Sequence, residues 1–594
     1  LRLRKTLVAV FAGSVFVTAA CSESGSEKKP PPADHSTSRT AAQPFGAAGP
    51  APGQFRKAWQ ADVPAPPLSP QPRIDFVAGQ IVVTSSRGLD TYDGRTGAPR
   101  WHYYERSRQL AGITTTADAV VVTTRAMLAD GSIPLDDKTA DLRTTGFDAA
   151  TGRVLWRADR FQPLDGGVPT AYEPVKASSG GVVVLRDRTT QRKLIGVDAR
   201  TGRQRWTWTV PRLDSSCHID PLDSDGSLLS LNVNCHPHAD VYALDPATGA
   251  VRWQRLSGNT RSTVQGRTRS GITMLTRTRS KGRSTGFALI GADGREILKA
   301  SPRRLELAVG ASGLAVVGDR AVVNYADGDG EARGSKVREW IGIVNLRTGR
   351  LERRVEEHEV SGLVTVGGRV YGVRSWLGEY DGKDSGLDPF LVPSALAVID
   401  PATARVTTVP MPFPRSGFWR PETMLDKMWA VGDRVYMARL LKTGLRLAAY
   451  TPSGARSPVE LGGARQGDWS NACALLKGAG FWARELHSLD KTLALGRAMI
   501  RNPRCYLDGG SEFWIGWVAP TAQQADELLD ASGSGAKAVP NIGDEAYEVP
   551  HYSARRLVVR AGRYIVLFEG DGAPSADQDM LAAARVVARR LASQ

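Results

Sequence analysis

The stretch Gly146–Asp159, GFDAATGRVLWRAD, decides how this chain of 594 residues folds, because nearly the same words return as GVDARTGRQRWTWT from Gly196 and ALDPATGAVRWQRL from Ala243. Aligned on themselves they give D-x-x-T-G-x-x-x-W four times: Asp93, Thr96, Gly97 and Trp101; Asp148, Thr151, Gly152 and Trp156; Asp198, Thr201, Gly202 and Trp206; Asp245, Thr248, Gly249 and Trp253. The pattern then decays but keeps its period, as GADGREIL around Asp293, VNLRTGRL around Asn345, VIDPATARV around Asp400 and YTPSGARS around Ser453. Eight units of about fifty residues result.

Each unit reads as β-structure. An apolar run such as Ile195 to Val197 precedes the turn, and an alternating run carrying Trp follows it. Glycine after threonine supplies the positive φ of a tight hairpin, and the aspartate can accept hydrogen bonds from the amides of its own turn. Asp and Thr are therefore turn chemistry before they are ligands. Further strands stand upstream, GQIVVTSS at Gly79 and DAVVVTTR at Asp118. Several strands in a period of this length mean a propeller blade. Eight blades are expected, seven if Asp293 or Ser453 is a false match, and Phe55 to Trp59 is placed to complete the last blade and close the ring.

The D-x-x-T-G-x-x-x-W hairpin resembles the tryptophan-docking motif of quinoprotein-type, or PQQ-like, β-propellers over Phe55 to Gly463. The resemblance implies that each Trp packs on the neighbouring blade's turn, and that packing loosens where Trp is lost in the last four units. It also implies two functions: dehydrogenases that hold pyrroloquinoline quinone with calcium, and scaffolds without a cofactor. The chain has neither the adjacent cysteine pair of the alcohol dehydrogenases nor a Cys-x-x-Cys-His for haem. No position matches the family's metal-binding Glu, Asn and Asp, so no catalytic residue, cofactor or metal is expected. The absence of G-x-S-x-G, Walker and H-E-x-x-H phrases leaves hydrolase, nucleotidase and metalloprotease readings unsupported.

The first residues set the compartment. LRLRK is a basic n-region, TLVAVFAGSVFVTAA an apolar run, and Thr18-Ala19-Ala20-Cys21 a small-residue site closed by cysteine. It resembles a bacterial lipobox, with Thr18 where that pattern prefers Leu, and implies lipidation of Cys21; plain secretion is the alternative. Residues 22–54, rich in Pro, Ser, Gly and Ala, are expected to form a flexible tether. Four cysteines remain, and outside the cytosol an even number suggests disulfides. Pairing within each unit gives Cys217 with Cys235 and Cys473 with Cys505. The same Cys217 and Cys235 stand beside His218, His236 and His238, which are zinc-ligand types, but a disulfide would consume the thiols. The acidic turns at Asp223 and Asp327 complete no calcium loop.

The net charge is +16, from 77 basic and 61 acidic residues. Arg261, Arg267, Arg269, Arg277, Arg279, Lys281 and Arg283 form a strip that faces anionic lipid or wall polymer, or is simply solvated. The compartment argues against nucleic acid. After Asp468 the repeat grammar stops: a helix capped at Ser470, a strand at SEFWIGWVAP, a helix boxed by Thr521 and Gln524, a hairpin at Ala561-Gly562 and a last helix boxed by Ser575 and Gln578 predict a small α+β domain. It resembles an extracytoplasmic domain of Gram-positive lipoproteins and kinase sensor regions, with Asp544 and Glu545 in a loop open to a ligand or to solvent. The expected organisation is signal and lipobox 1–21, tether 22–54, propeller 55–465 and α+β domain 466–594. The expected role is a membrane-anchored binding or scaffold module for a protein or envelope polymer, with a quinone-dependent dehydrogenase as the competing class.

Overall fold

In a computed structural model the described residues are 34–64, 73–127, 141–162, 178–187, 192–211, 217–221, 228–235, 238–256, 260–267, 271–279, 284–299, 313–327, 338–356, 360–375, 391–416, 426–441, 444–453, 468–495, 498–507, 510–529, 537–551, 554–570 and 574–594. Cys21 and the signal-like run lie outside them.

The strands assemble into eight antiparallel sheets built on four consecutive positions each, and one of seven strands. Blade 1 runs outward from Ile74–Val77 through Gln80–Ser85 and Gly88–Asp93 to Pro99–Tyr104. Blades 2 to 7 repeat this order. Blade 8 takes three strands, Asp426–Val431, Arg434–Leu441 and Gly444–Ser453, from the end of the array, and its outer strand, Gln54–Pro64, from the beginning. The pairing runs from Gln54 opposite Ser453 to Pro64 opposite Gly444. Both ends of the array are thus hydrogen-bonded into one sheet, which leaves no free ring edge to pair with another chain. Eight blades, not seven, make the ring.

The core is divided among the joints. Valines 120 and 122 pack with blade 1, whereas Ala119 and Val121 of the same strand pack with blade 3. Successive side chains of a strand point to opposite faces, and both faces of every blade are covered. That is why the strands read as unbroken apolar runs such as VVV rather than as alternation. Similar clusters fill each later joint, and the last joins Tyr436, Leu445 and Leu447 of blade 8 to Ile74, Ile81 and Tyr92 of blade 1.

Residues 34–53 depart from the expected flexible tether. Asp34 and His35 add a short strand to the outer edge of blade 1, opposite Tyr104 and Tyr103. The chain then crosses the turns of blades 2, 1, 8 and 7 before entering the outer strand of blade 8. This strap has few large side chains, so hydrophobic patterning does not find it. Small residues and backbone groups hold it instead. Ser38 N donates to Thr151 O at 2.9 Å, Arg100 bonds Thr40 O, and Tyr371 Oη donates to Pro50 O at 2.5 Å. Phe45 is its one large anchor, with ring centres 5.9 Å from Phe76 and 6.0 Å from Tyr436. Gly49 lies so close to Tyr371 that an added Cβ would sit 2.5 Å from the hydroxyl oxygen.

The seven-stranded sheet runs Ala483–Leu495, Ala498–Leu507, Glu512–Val518, Tyr564–Gly570, Ala554–Ala561, Glu545–His551 and Lys537–Ala538. Helix Pro574–Ala592 covers one face through Met580, Ala583, Val587 and Leu591, and helix Ala522–Leu529 covers part of the other against Trp514 and Trp517. Thr521 Oγ1 accepts the Gln524 amide at 3.2 Å and so caps the shorter helix. The side chain of Ser575 lies outside the described residues. The helix expected from Ser470 is only a 3-10 turn, Cys473–Leu476. Gly478 and Gly480 follow it at φ 74° and 82°, and Arg590 Nη1 takes up the carbonyls of Leu475 and Lys477 at 2.8 and 2.9 Å, so the chain is turned away before a helix can propagate. Ser470 bonds Gln594 at 3.1 Å instead of capping. Cys473 is disulfide-bonded to Cys505, with Cα atoms 5.0 Å apart.

Because Trp101 is 1% exposed and wedged between two blades, Trp101→Ala should cost roughly 3 to 5 kcal/mol, the scale of a buried aromatic truncation. Urea unfolding followed by circular dichroism measures it, and a loss below about 1 kcal/mol would show that the indole does not hold the joint.

Candidate functional site

The repeated hairpins lie on one side of the ring, the side on which each blade's first strand also turns into its second. Every motif residue has a definite place there. In blade 2, Asp148 Oδ1 accepts the Thr151 amide at 3.0 Å and the Thr151 hydroxyl at 2.9 Å, and Gly152 N donates to Asp148 O at 2.8 Å. Asp93 accepts from Arg95 N and Thr96 N at 2.9 and 3.0 Å, Asp198 from Thr201 N and Oγ1 at 2.9 Å each, and Asp245 from Ala247 N and Thr248 N at 2.9 and 3.2 Å. Asn345 and Asp400 do the same in blades 6 and 7. At least one oxygen of each Asp or Asn serves its own turn, and the outer oxygens of Asp93, Asp148, Asp198 and Asp245 pair with Arg100, Arg200, Arg205 and Arg252.

Gly152 has φ 74°, and a Cβ there would lie 2.5 Å from the Trp101 ring. The same contact repeats as Trp156 over Gly202 and Trp206 over Gly249, while Gly294 meets the Cβ and Cγ of Trp253. Each of the first three also donates its indole N–H across the joint: Trp101 to Ala149 O at 3.1 Å, Trp156 to Ala199 O at 2.8 Å and Trp206 to Pro246 O at 2.7 Å. Trp156 and Trp206 are closed from behind by Gly146 and Gly196 of their own blades, where a Cβ would come within 2.3 and 2.1 Å of the indole. The first letter of the repeated phrase is therefore part of the dock.

Trp59 is a docking residue that the motif search missed. It lies over Gly97 and donates to Gly94 O at 3.2 Å, which joins blade 8 to blade 1. Its strand and its turn are separated by the whole array, so no hairpin phrase surrounds it. A register shift before Trp59 in its own strand was invisible for the same reason; comparable shifts precede Trp156, Trp206 and Trp253. Where Trp is absent, other groups occupy the place. Register puts Leu298 there in blade 5 and Arg353 in blade 6, and Arg353 Nη1 donates to Thr403 O of the next blade at 2.9 Å.

Electrostatics follow from the same bonds. Backbone hydrogen bonding from Ala402, then the Thr403 hydroxyl, hold the Asp400 carboxyl below its usual range. For Asp198 burial is the largest influence and pushes upward, but the bonds from Arg205 and Thr201 together outweigh it; Asp245 behaves likewise with Arg252 and its turn amides.

Other sequence candidates separate clearly. Asp544 Oδ2 accepts Gly562 N at 2.7 Å and Arg560 Nη1 at 3.1 Å, and Glu545 takes Arg560 Nη2 at 3.3 Å, so these acids close a hairpin. Cys217 and Cys235 are direct Cα partners across the two inner strands of blade 4. Their side chains, and those of His218 and His238, lie outside the described residues, as do His236 and Asp223 altogether, and so does the Asp327 side chain. Arg261, Arg267, Arg277 and Arg279 fall on the first two strands of blade 5, with Arg261 opposite Thr278 and Arg277 opposite Ser262. Their side chains and residues Arg269, Lys281 and Arg283 are outside the described set. Among the described residues no three His, Cys, Asp or Glu side chains converge to hold a metal ion, and no helix among them is long and apolar enough to cross a membrane.

Eight radial sheets, a shared closing blade and indoles docked on the next hairpin define a PQQ-like repeat β-propeller. Residues 140–385 match the family model described as outer membrane protein assembly factor BamB. Solved structures with a similar course include BamB from Moraxella catarrhalis, at 16% identity over 67% of this chain and 100% of that one, TM-score 0.35. The quinohemoprotein alcohol dehydrogenase ADHIIG from Pseudomonas putida HK5 has 11% identity over 74% and 83%, TM-score 0.34. The WD40 domain of SCAP from fission yeast has 11% over 67% and 98%, TM-score 0.36. No curated protein matches in sequence.

Asp198, Asp245 and Asp400 have folded-state values below their unfolded ones, so their contribution to stability is complete above the unfolded carboxyl value near about 4 and is lost as pH falls through the lower folded values. Stability to urea should therefore decline on acidification below that point. Asp400→Asn should lessen the decline, and an unchanged pH profile in that variant would refute the assignment. Replacing Asp148 or Thr151 by Ala should cost only about 1 kcal/mol, one net hydrogen bond.

Proposed function

We propose that this chain is an extracytoplasmic lipoprotein, held at the outer face of the cell membrane through Cys21, whose propeller is a non-catalytic scaffold for a protein or a cell-envelope polymer. In this reading residues 1–21 are the signal and lipobox, 55–465 the propeller and 466–594 a second, sensor-like α+β module. The observation that carries it is the use made of the repeated polar residues. The Asp and Thr of the turns satisfy their own backbone, the indoles bridge blades, and the strap lies over the first turns of blades 1, 8 and 7. What the ring offers outward is a broad, rigid and arginine-rich surface, which suits recognition by area and charge. The match to a family described as an assembly factor supports the scaffold reading, although assembly of what is a matter for this chain's own partner.

One preparation tests both halves. Full-length protein extracted from membranes should carry acyl chains on an N-terminal Cys21 by mass spectrometry; a soluble protein cut elsewhere would overturn the anchor. The same protein, incubated with pyrroloquinoline quinone and calcium and then dialysed, should retain no quinone absorbance. Stoichiometric retention would replace the scaffold by the dehydrogenase reading.

A further inference from the structure

The strap ends at a particular place on the ring. Asp34 and His35 pair with the outer strand of blade 1, and His35 Nε2 donates to Gly152 O of blade 2 at 2.8 Å. Asp34 is only thirteen positions after Cys21, and thirteen residues fully extended span at most about 45 Å. An anchor at Cys21 therefore keeps the edge at blades 1 and 2 near the bilayer, a step that rests on the lipoprotein reading.

That edge and its continuation are basic. Over the turns and outer strands at 148–160, 198–209 and 245–256 there are eight arginines and four aspartates. Three of the aspartates are turned inward: the side chains of Asp148, Asp198 and Asp245 are 17%, 15% and 15% exposed and accept bonds from their own turns. Their outer oxygens pair with Arg200, Arg205 and Arg252 respectively, which leaves the other arginines of these segments in excess. Arg153, Arg157, Arg200, Arg203, Arg205 and Arg252 are all exposed. Val251, on the same outer strand as Arg252, and Leu256, just past its end, are among the few large apolar side chains left in solvent, at 43% and 51% exposure. Outward cations beside exposed aliphatic groups match the composition of a surface that sits at headgroup level.

We propose that the outer edge of blades 2 to 4 docks on an anionic bilayer, with Arg153, Arg157 and Arg203 against lipid phosphates and Val251 and Leu256 at the headgroup boundary. The propeller then stands edge-on to the membrane, and blades 5 to 7 face away from it.

The test uses the full chain with Cys21→Ser, so that no acyl chain contributes, and co-sedimentation with phosphatidylcholine vesicles with or without phosphatidylglycerol. The protein should bind only the anionic vesicles and release as salt rises. Arg153→Glu/Arg157→Glu/Arg203→Glu should lower partitioning at least about tenfold. The control Arg347→Glu/Arg350→Glu/Arg405→Glu, on blades 6 and 7, should retain it. If charge reversal prevents folding, the corresponding glutamine variant must still show the loss. Equal binding to both vesicle types, equal loss in both triple variants, or binding to soluble teichoic acid but not to vesicles would overturn the proposal. If the unsubstituted protein proves to carry no acyl chain while Cys21→Ser still shows the expected vesicle pattern, the anchor alone is refuted, so the two failures are distinguishable.

Discussion

An indole ring lying flat over a glycine of the next blade is the contact on which the ring depends. A propeller blade alone is a twisted sheet with two apolar faces, so it is stable only when each face meets another blade. The facing apolar clusters supply most of the area, but area does not set the angle between sheets. The hairpin dock does. Trp101 over Gly152 fixes a short distance that no Cβ could share, and the N–H to Ala149 O fixes direction. The indole dock repeats at the five joints from blade 8 to blade 5, and the remaining joints complete the ring of eight with other side chains.

The dock also accounts for the composition of the motif. Glycine is needed at Gly97, Gly152, Gly202 and Gly249 for two independent reasons, positive φ and the indole above it. In blade 7 the equivalent residue, Ala404, keeps the positive φ at 59° without glycine. The relaxation of the motif across blades 5 to 7 thus changes the chemistry of the joints rather than abolishing them. Arg353 reaches the carbonyl of Thr403 as an indole N–H would, and aliphatic clusters fill what the ring plane no longer covers. Trp253 sits at the transition. It still covers Gly294, but the turn it meets is GADG, shorter than D-x-x-T-G, and its buried Nε1 has no hydrogen-bond partner among the described residues.

What was legible in the sequence follows the same physics. A hairpin whose requirements fall within nine consecutive residues leaves a phrase, and Asp148 to Trp156 is such a phrase. Requirements divided between distant segments leave none. Trp59, in a blade finished by the other end of the array, docks on a blade 1 turn almost forty residues later, and the strap passes over four blades in turn, so neither produces a period. The tail shows a different limit. ACALLKGAG has the local look of a helix, yet two glycines at positive φ and the side chain of Arg590, from the far end of the chain, redirect it. Local propensity is overruled there by contacts that only the folded chain brings together. The strands at 483–495 and 498–507 went unread because the first shares its opening residues with that apparent helix.

Closure and placement are linked through the strap. Its route ends in the outer strand of blade 8, the one strand that the rest of that blade cannot supply, and begins at the outer edge of blade 1. A pull on residues before Asp34 is therefore resisted first by the bonds of His35, Ser36 and Ser38 to blades 1 and 2, then by Phe45 and the packed glycines, and only then by the pairing from Gln54 to Pro64. Such a pull reaches the closing strand only through a series of small contacts on four blades. A free linker ending at Gln54 would instead load the closing strand, whose loss opens the ring. The strap thus sets the segment that enters the ring from outside apart from the strand that completes it.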